Sequence, residues 1–150
     1  IQKLVNPAMS ELPAFLAPNG GLNSGHMIVQ VAAASLVSEN KILSHPASVD
    51  SIPTSADKED HVSMGTIAAR KFAQILKNAE AVLAMELLSA TQALDLLTPL
   101  KPSGCVLDVF NVIRSKVPFA QVDRIFSNDT KAIQQMIRER QISAVVGTLE

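Results

Sequence analysis

Hydrophobic residues recur at helical spacing over most of the chain, and the pattern predicts two long helices. Over residues 62–97, apolar side chains return every three or four positions and no proline interrupts them. Over residues 25–44, apolar side chains occupy nearly every face, which predicts a helix inside a bundle. We expect Ser24 to be the N-cap of this second helix, and we expect Pro46 to end it.

Shorter elements are predicted on either side of these helices. The chain opens on an apolar pattern of one or two helical turns, and two prolines with the Asn19-Gly20-Gly21 cluster then predict a loop up to residue 25. Beyond the long helix, three short helices are predicted at residues 103–116, 122–126 and 129–141. We expect Asn128 or Asp129 to cap the last of them, and the pattern assigns no element to residues 142–150. The predicted fold class is all-α, a bundle of long helices.

The predicted helix over residues 62–97 is long for a chain of this size. It would measure about 54 Å at 1.5 Å per residue, which is more than the width of a 150-residue globule. It would therefore project beyond its own domain unless other chains or a missing part covered it. The chain also begins without Met and already in an apolar helical pattern. We expect the sequence to be a piece of a longer protein.

Composition narrows the classes of function. The net charge is -1, from 13 basic and 14 acidic residues, and there is no Trp and no Tyr, so a nucleic-acid partner is not expected. No apolar run reaches the roughly 18 residues of a membrane span, and no signal peptide is recognised. The single Cys105 excludes an internal disulfide and fits a reducing compartment, for which the cytosol is the default.

Most candidate chemistry has a simpler structural interpretation. His26, His45 and His61 lie too far apart in sequence for a short metal-ligand motif, so no metal site is expected. The Pro-Ser-Gly-Cys string ending at Cys105 is typical of an ordinary turn, with small residues after a proline, and does not indicate a nucleophile motif. Glu39 interrupts an otherwise apolar helix, and we expect it to form a salt bridge with a structural role.

The polar loop before the long helix is harder to explain. Its Lys-Glu-Asp-His string, from Lys58 to His61, sets a cation, two carboxylates and an imidazole side by side. The simpler interpretation is that Asp57 or Asp60 caps the helix and that Glu59 lies in its first turn, where the helix dipole favours negative charge. That interpretation does not explain a long loop with prolines, Ser, Thr and Asp but few glycines. Such a stiff loop usually positions functional groups.

Three stretches of sequence resemble a known family. SHPASVDSIPTSADKEDHVSMG at 44–65, GGLNSG at 20–25 and LVSENK at 36–41 closely resemble the C-terminal part of the aromatic amino-acid lyases that act on L-histidine. The resemblance is strong over about residues 1–100 and looser beyond. It implies part of the central helical bundle of the aromatic amino-acid lyase and fumarase-like superfamily. Residues 1–100 would then hold bundle helices and an active-site loop, and residues 101–150 would form short C-terminal helices.

The resemblance also implies an activity, a cofactor and an assembly. These lyases eliminate ammonia from L-histidine to give trans-urocanate in histidine catabolism, as cytosolic homotetramers whose active sites are shared between subunits. Their electrophile, 4-methylidene-imidazol-5-one (MIO), forms from an Ala-Ser-Gly triad, and their catalytic machinery includes tyrosines. This sequence has neither an Ala-Ser-Gly triad nor a tyrosine. We therefore expect the 150-residue chain to be inactive on its own.

The resemblance singles out Glu59 as the catalytic candidate. It matches the Glu of the family's Glu-Asp-His motif, which faces the substrate, either as the base for the β proton or as a partner of the substrate's amino or imidazole group. Relatives acting on phenylalanine or tyrosine typically carry Gln there, so Glu59 favours histidine. Lys58, Asp60 and His61 would be its neighbours in the substrate pocket.

Two alternatives from other classes remain open. The chain could be a helical module for oligomerisation, or it could belong to a sister lyase or aminomutase for another aromatic substrate. In the absence of the rest of such an enzyme, we expect the loop around Glu59 to be disordered or displaced.

Overall fold

A computed structural model describes residues 1–147, and helices account for the regular structure within that range. Two isolated bridges, Gly20 with Asn23 and Thr54 with Glu59, are the β pairings found there. A 3₁₀ turn spans Ala14–Leu16. The α-helices, numbered in chain order, are α1 Gln2–Val5, α2 Pro7–Ser10, α3 Met27–Leu43, α4 Gly65–Leu96, α5 Gly104–Arg114, α6 Phe126–Arg138 and α7 Gln141–Val146. The all-α prediction is confirmed.

The longest element is α4, which the sequence predicts almost to its ends. It has 32 residues and is about 48 Å long at 1.5 Å per residue. It ends at Leu96, and the backbone N–H of Leu97 donates to the carbonyl of Ala93 in its last turn. Prolines at 99 and 102 follow, and neither can continue a helix because its ring fixes φ and removes a donor.

The main hydrophobic core lies between the C-terminal half of α4, α5 and α6, with one residue of α3. Apolar side chains from these elements and from the α5–α6 connection pack together, and each is less than a tenth exposed. The members are Val29, Ala84, Leu88, Ile113, Val117, Ala120, Phe126, Ile133 and Met136. The N-terminal segment adds a second cluster against the end of α4, made of Val5, Leu12, Leu16 and Ala93.

A buried glutamine joins the two clusters. The Gln92 side chain donates from Nε2 to the carbonyls of Leu16 at 3.3 Å and Ala120 at 3.0 Å, and its Oε1 accepts from the Ala120 N–H at 3.1 Å. A buried amide with its partners in place stabilises the contact among three chain segments, because leaving any of these groups unpaired in the interior would be costly.

Helix α3 is packed on one side only in this chain. Val29 and Ala33 are its buried residues. Several large apolar side chains of α3 are exposed instead, namely Met27, Ile28, Val31, Val37 and Ile42. The helix was predicted to lie inside a bundle, and an apolar surface of this size on the open side of α3 is typical of a face that packs against further protein.

Three local predictions are wrong, and hydrogen bonds of Asp123, Arg124 and Asp129 account for them. Ser24 is not the N-cap of α3, which begins at Met27 after His26, because the Ser24 N–H donates to the Asp123 carboxylate at 2.8 Å. Neither Asn128 nor Asp129 caps α6, which begins at Phe126. The Asp129 carboxylate instead accepts from the Arg124 guanidinium at 2.7 Å.

The third wrong prediction is the short helix over residues 122–126, of which all but the last lie outside helices. Helix α5 matches its predicted range closely, whereas α6 lies about three residues before its predicted range. The unassigned end contains α7, and residues 148–150 lie outside the described residues. Within the described part, no helix combines the length and the hydropathy that crossing a bilayer requires.

Candidate functional site

The candidate site is the loop of residues 44–64, which joins the end of α3 to the start of α4. Both ends of the loop are fixed by hydrogen bonds. At its beginning, the Lys71 ammonium of α4 donates to the carbonyl of His45. At its end, the Ser48 hydroxyl donates to the carbonyl of Ser63, across fifteen positions of sequence. The two arms of the loop therefore run back toward each other.

Further hydrogen bonds connect the two arms nearer the tip. The Val62 N–H donates to the Ser51 hydroxyl oxygen at 2.8 Å. Closer to the tip, Thr54 and Glu59 form an antiparallel bridge, with the Thr54 N–H donating to the Glu59 carbonyl at 2.9 Å and the Glu59 N–H donating back at 3.3 Å. The loop is thus a narrow hairpin-like structure with Glu59 at the base of its terminal turn.

The terminal turn has an unusual backbone. Ser55, Ala56 and Asp57 have φ values of 55°, 55° and 62°, in the left-handed region that residues other than glycine rarely adopt. Three such residues in succession reverse the chain within four positions and bring Glu59 back beside Thr54. Such outliers persist only where the surrounding structure holds them, and they concentrate at functional sites.

The carboxylate of Glu59 is held at one of its two oxygens. Oε2 accepts from the Thr54 hydroxyl at 2.9 Å and from the Ser55 hydroxyl at 3.1 Å. Oε1 makes no hydrogen bond to the described residues, and the side chain is exposed. The site therefore presents an oriented carboxylate with one oxygen free to bind a ligand.

The other candidates of the loop are exposed around Glu59. Lys58, Asp60 and His61 flank it in sequence, and all three side chains face solvent in this chain. The capping interpretation is wrong, because α4 begins at Gly65 after Met64, several residues beyond both Asp57 and Asp60. The acidic residues of the loop thus lie outside the helix they were predicted to cap.

A polar cluster connects α3 to α4 below the loop. The buried amide of Asn78 donates to Glu39 Oε2 at 2.8 Å and to Asn40 Oδ1 at 3.0 Å, and its own oxygen accepts from Gln74 at 2.8 Å. The prediction of a salt bridge for Glu39 is wrong among the described residues, because its carboxylate is exposed and its partner is a neutral amide. The cluster fixes α3 against α4 at the end where the loop begins.

The three histidines lie in different environments. His45 and His61 are exposed, whereas His26 is buried, with Nδ1 3.1 Å from the Ser89 hydroxyl and its ring edge-on to Phe126. Burial lowers the pKa of His26 from 6.5 to about 4, and the nearby Arg114 and Arg124 charges act in the same direction. No group of three or more metal-ligating side chains comes together in the described range.

Comparison with known proteins identifies the family. The sequence profile described as "Aromatic amino acid lyase" matches residues 1–115. The chain belongs to the aromatic amino acid lyase family, as the sequence stretches quoted above indicate.

Several similar proteins carry a more specific name. The chain is similar to histidine ammonia-lyase of Myxococcus xanthus, at 52% identity over 146 residues, which cover 97% of this chain and 29% of that protein. Its structure is similar to that of histidine ammonia-lyase from Trypanosoma cruzi, with a TM-score of 0.93 and 47% identity, covering 97% of this chain and 28% of that one. It also resembles tyrosine aminomutase from Streptomyces globisporus, with a TM-score of 0.90, 32% identity and the same coverage of both chains.

The chain spans less than a third of the length of the curated relatives it matches. The aligned part nevertheless includes nearly all of the 150 residues, so the candidate loop lies inside the matched region.

Sequence reasoning missed two residues of the site, Thr54 and Ser55. Their hydroxyls contact the Glu59 carboxylate only because the left-handed turn folds the chain back on itself. The one available signal was the excess of Ser and Thr over glycine in a loop of this length.

Proposed function

We propose that this chain is the C-terminal part of a longer lyase that eliminates ammonia from L-histidine to give trans-urocanate. The observation that carries the proposal is the oriented carboxylate of Glu59, held at Oε2 and free at Oε1, in a chain whose relatives include histidine ammonia-lyases. Elimination requires removal of a proton from carbon, and recognition of histidine requires a partner for an imidazole or an amino group. A fixed carboxylate serves either purpose.

In this proposal Glu59 contacts the substrate and its neighbours shape the pocket. The free Oε1 accepts the β proton or binds the amino or imidazole group of L-histidine. Lys58, Asp60 and His61 lie at the same tip and contribute charge around the substrate once other parts of the protein close over them. Exclusion of water by that closure would strengthen each of these interactions.

The electrophile must come from elsewhere in the full-length protein. The MIO group forms from an Ala-Ser-Gly triad, and the 150 residues contain no such triad, so they do not fit as its source. When present, MIO supplies the electrophile of the reaction. The contribution of this chain is the carboxylate and its loop, and the isolated chain is inactive for that reason.

The open apolar surface supports a larger assembly. The exposed side chains of α3 and those of the first half of α4 form surfaces that a single chain leaves in contact with water. We propose a homotetramer in which residues 1–100 contribute helices and the loop to a central bundle, and residues 101–150 form the shorter helices at its side. The single exposed cysteine suits a cytosolic location.

A sister activity is the second candidate, because the fold also resembles a tyrosine aminomutase. Two observations favour histidine as the substrate. Among the similar solved structures, the identity to histidine ammonia-lyase is 47%, against 32% to the aminomutase. In addition, Glu59 stands where the resemblance predicts Gln in enzymes for phenylalanine or tyrosine.

The test is Glu59→Gln in the full-length protein that carries this sequence. We expect kcat on L-histidine to fall by about 10²- to 10⁴-fold, which is the usual contribution of a general acid or base. The midpoint of thermal unfolding should change little, because Gln has nearly the same shape and its side-chain oxygen can still accept from the Thr54 and Ser55 hydroxyls. Asp57→Asn, an equally conservative change in the same turn, is the matched control and should keep its activity. Full turnover by Glu59→Gln would overturn the assignment.

A further inference from the structure

The strongest unassigned feature is the pair of hydroxyls at the carboxylate of Glu59. Thr54 Oγ1 and Ser55 Oγ lie 2.9 Å and 3.1 Å from the same oxygen, Oε2. Two donors on one oxygen fix the rotation of the carboxylate about its terminal bond, which is otherwise a broad, soft torsion. They leave Oε1 without a hydrogen-bond partner among the described residues.

The backbone supports the same arrangement. The antiparallel bridge between Thr54 and Glu59 sets the two residues opposite each other, and the left-handed residues 55–57 close the turn between them. Beyond this bridge, the contact of Ser51 with Val62 and that of Ser48 with Ser63 connect the two arms. The hydroxyl contacts therefore occur at the end of a braced structure and not on a free tail.

The hydroxyl contacts are exposed in this chain, and stability alone does not account for them. Hydrogen bonds between solvent-exposed groups exchange with water at little net gain. A turn formed only to connect two helices would favour glycine at left-handed positions, whereas Ser55, Ala56 and Asp57 occupy them here. The arrangement is thus more costly than a simple connection requires, and its product is an oriented carboxylate.

We propose that Thr54 and Ser55 are positioning residues that orient the Glu59 carboxylate so that Oε1 faces the substrate. The inference rests on the proposed function of Glu59. Removal of both hydroxyls leaves the carboxylate free to rotate, so it loses its alignment.

The experiment compares variants of the full-length protein. In the double variant Thr54→Val with Ser55→Ala, we expect kcat/KM for L-histidine to fall about 10- to 100-fold, the usual loss from a misplaced reacting group. The loss should lie mainly in kcat, and KM should change little. The single variant Thr54→Ser, which keeps a hydroxyl at this position, should retain most of the wild-type activity. Ser63→Ala removes an exposed hydroxyl of the same loop that does not contact Glu59, and it should behave as the wild type.

The outcomes separate this inference from the proposed function. If Glu59→Gln abolishes turnover while the double variant keeps wild-type kcat, the positioning role is wrong and the function of Glu59 stands. If Glu59→Gln keeps full turnover, both are wrong. A loss in the double variant that is matched by a lower unfolding midpoint, with kcat and KM affected alike, would assign the hydroxyls a structural role only. Should the double variant not fold, the Thr54→Val and Thr54→Ser pair provides the same comparison.

Discussion

The two halves of α4 differ in their surroundings. Its buried residues begin at Asn78 and continue to Ala93, whereas the turns from Gly65 to Lys77 contain none. The C-terminal half packs against α5 and α6 in the main core. The N-terminal half faces α3 on one side and exposes apolar side chains such as Phe72 and Leu76 on the other.

The difference separates folding from function along one helix. The packed half has partners within the chain, so part of its apolar surface is buried without help from other parts of the protein. The open half carries the loop of Glu59, and its apolar face has no cover within residues 1–147. Hence the half that serves the proposed active site is the half that needs other parts of the protein to complete it.

The largest expected effect lies in the packed half. Leu88 is 2% exposed, and Leu88→Ala should lower the free energy of unfolding by about 2 to 5 kcal/mol because it leaves a cavity. Leu83→Ala is the matched control on the same helix, since Leu83 is 53% exposed, and its effect should stay within about 0.5 kcal/mol. Denaturant unfolding of the 150-residue chain measures both. Equal losses would show that the two faces are packed alike.

The second effect concerns pH, and it separates the buried histidine from the exposed ones. The pKa of His26 is about 4 in the folded chain and about 6.5 when unfolded, so the unfolded state binds the proton more readily. The contribution of His26 to the free energy of unfolding should be fully present above pH 6.5. As the pH drops toward 4, this contribution should be lost, which lowers the free energy of unfolding by about 3 kcal/mol.

The measurement is the free energy of unfolding at a series of pH values. His26→Gln removes the titrating group, so this variant should lose less stability on acidification than the wild type. The control is His45→Gln, which alters an exposed ring and should follow the wild-type curve. If His26→Gln gave the same acid dependence as the wild type, the folded histidine would not be held in its neutral form.

The smallest effect concerns the loop in the isolated chain, whose hydrogen bonds are exposed to solvent, so we predict that it opens more readily than the packed region. Trypsin should cut first after Lys58, and a glutamate-specific protease should cut first after Glu59. Sites in the packed region, such as Arg114, should be cut later, because the backbone there is in a packed helix. First cleavage after Arg114 would contradict the prediction, and it would show that the hydrogen bonds of the loop keep it closed without the rest of the protein.

The hydrophobic pattern predicts the long helices well and their surroundings poorly. Helices α3 and α4 lie within a few residues of their predicted ranges because prolines and sustained periodicity limit them. The N-cap of α3 could not be predicted, since the backbone N–H of Ser24 donates to the carboxylate of Asp123, almost a hundred positions away. The expected helix over residues 122–126 fails for a related reason: Asp123 and Arg124 are used in contacts that hold the connection to α6 in place.

The candidate site was predictable only in part. The sequence and the family resemblance point to Glu59, but the two hydroxyls at its carboxylate depend on a left-handed turn that leaves no periodic signal. For Glu39, a carboxylate in an apolar run suggested burial and a charged partner. Because α3 is open on that side in this chain, an exposed contact with Asn78 is sufficient.

We propose that this chain supplies the carboxylate of a histidine-deaminating site that other parts of the protein complete. The most direct test is urocanate absorbance with L-histidine, measured side by side on the 150-residue chain and on the full-length protein that carries it. We expect urocanate from the full-length protein and none from the chain alone. Urocanate from the isolated chain, or none from either, would contradict it.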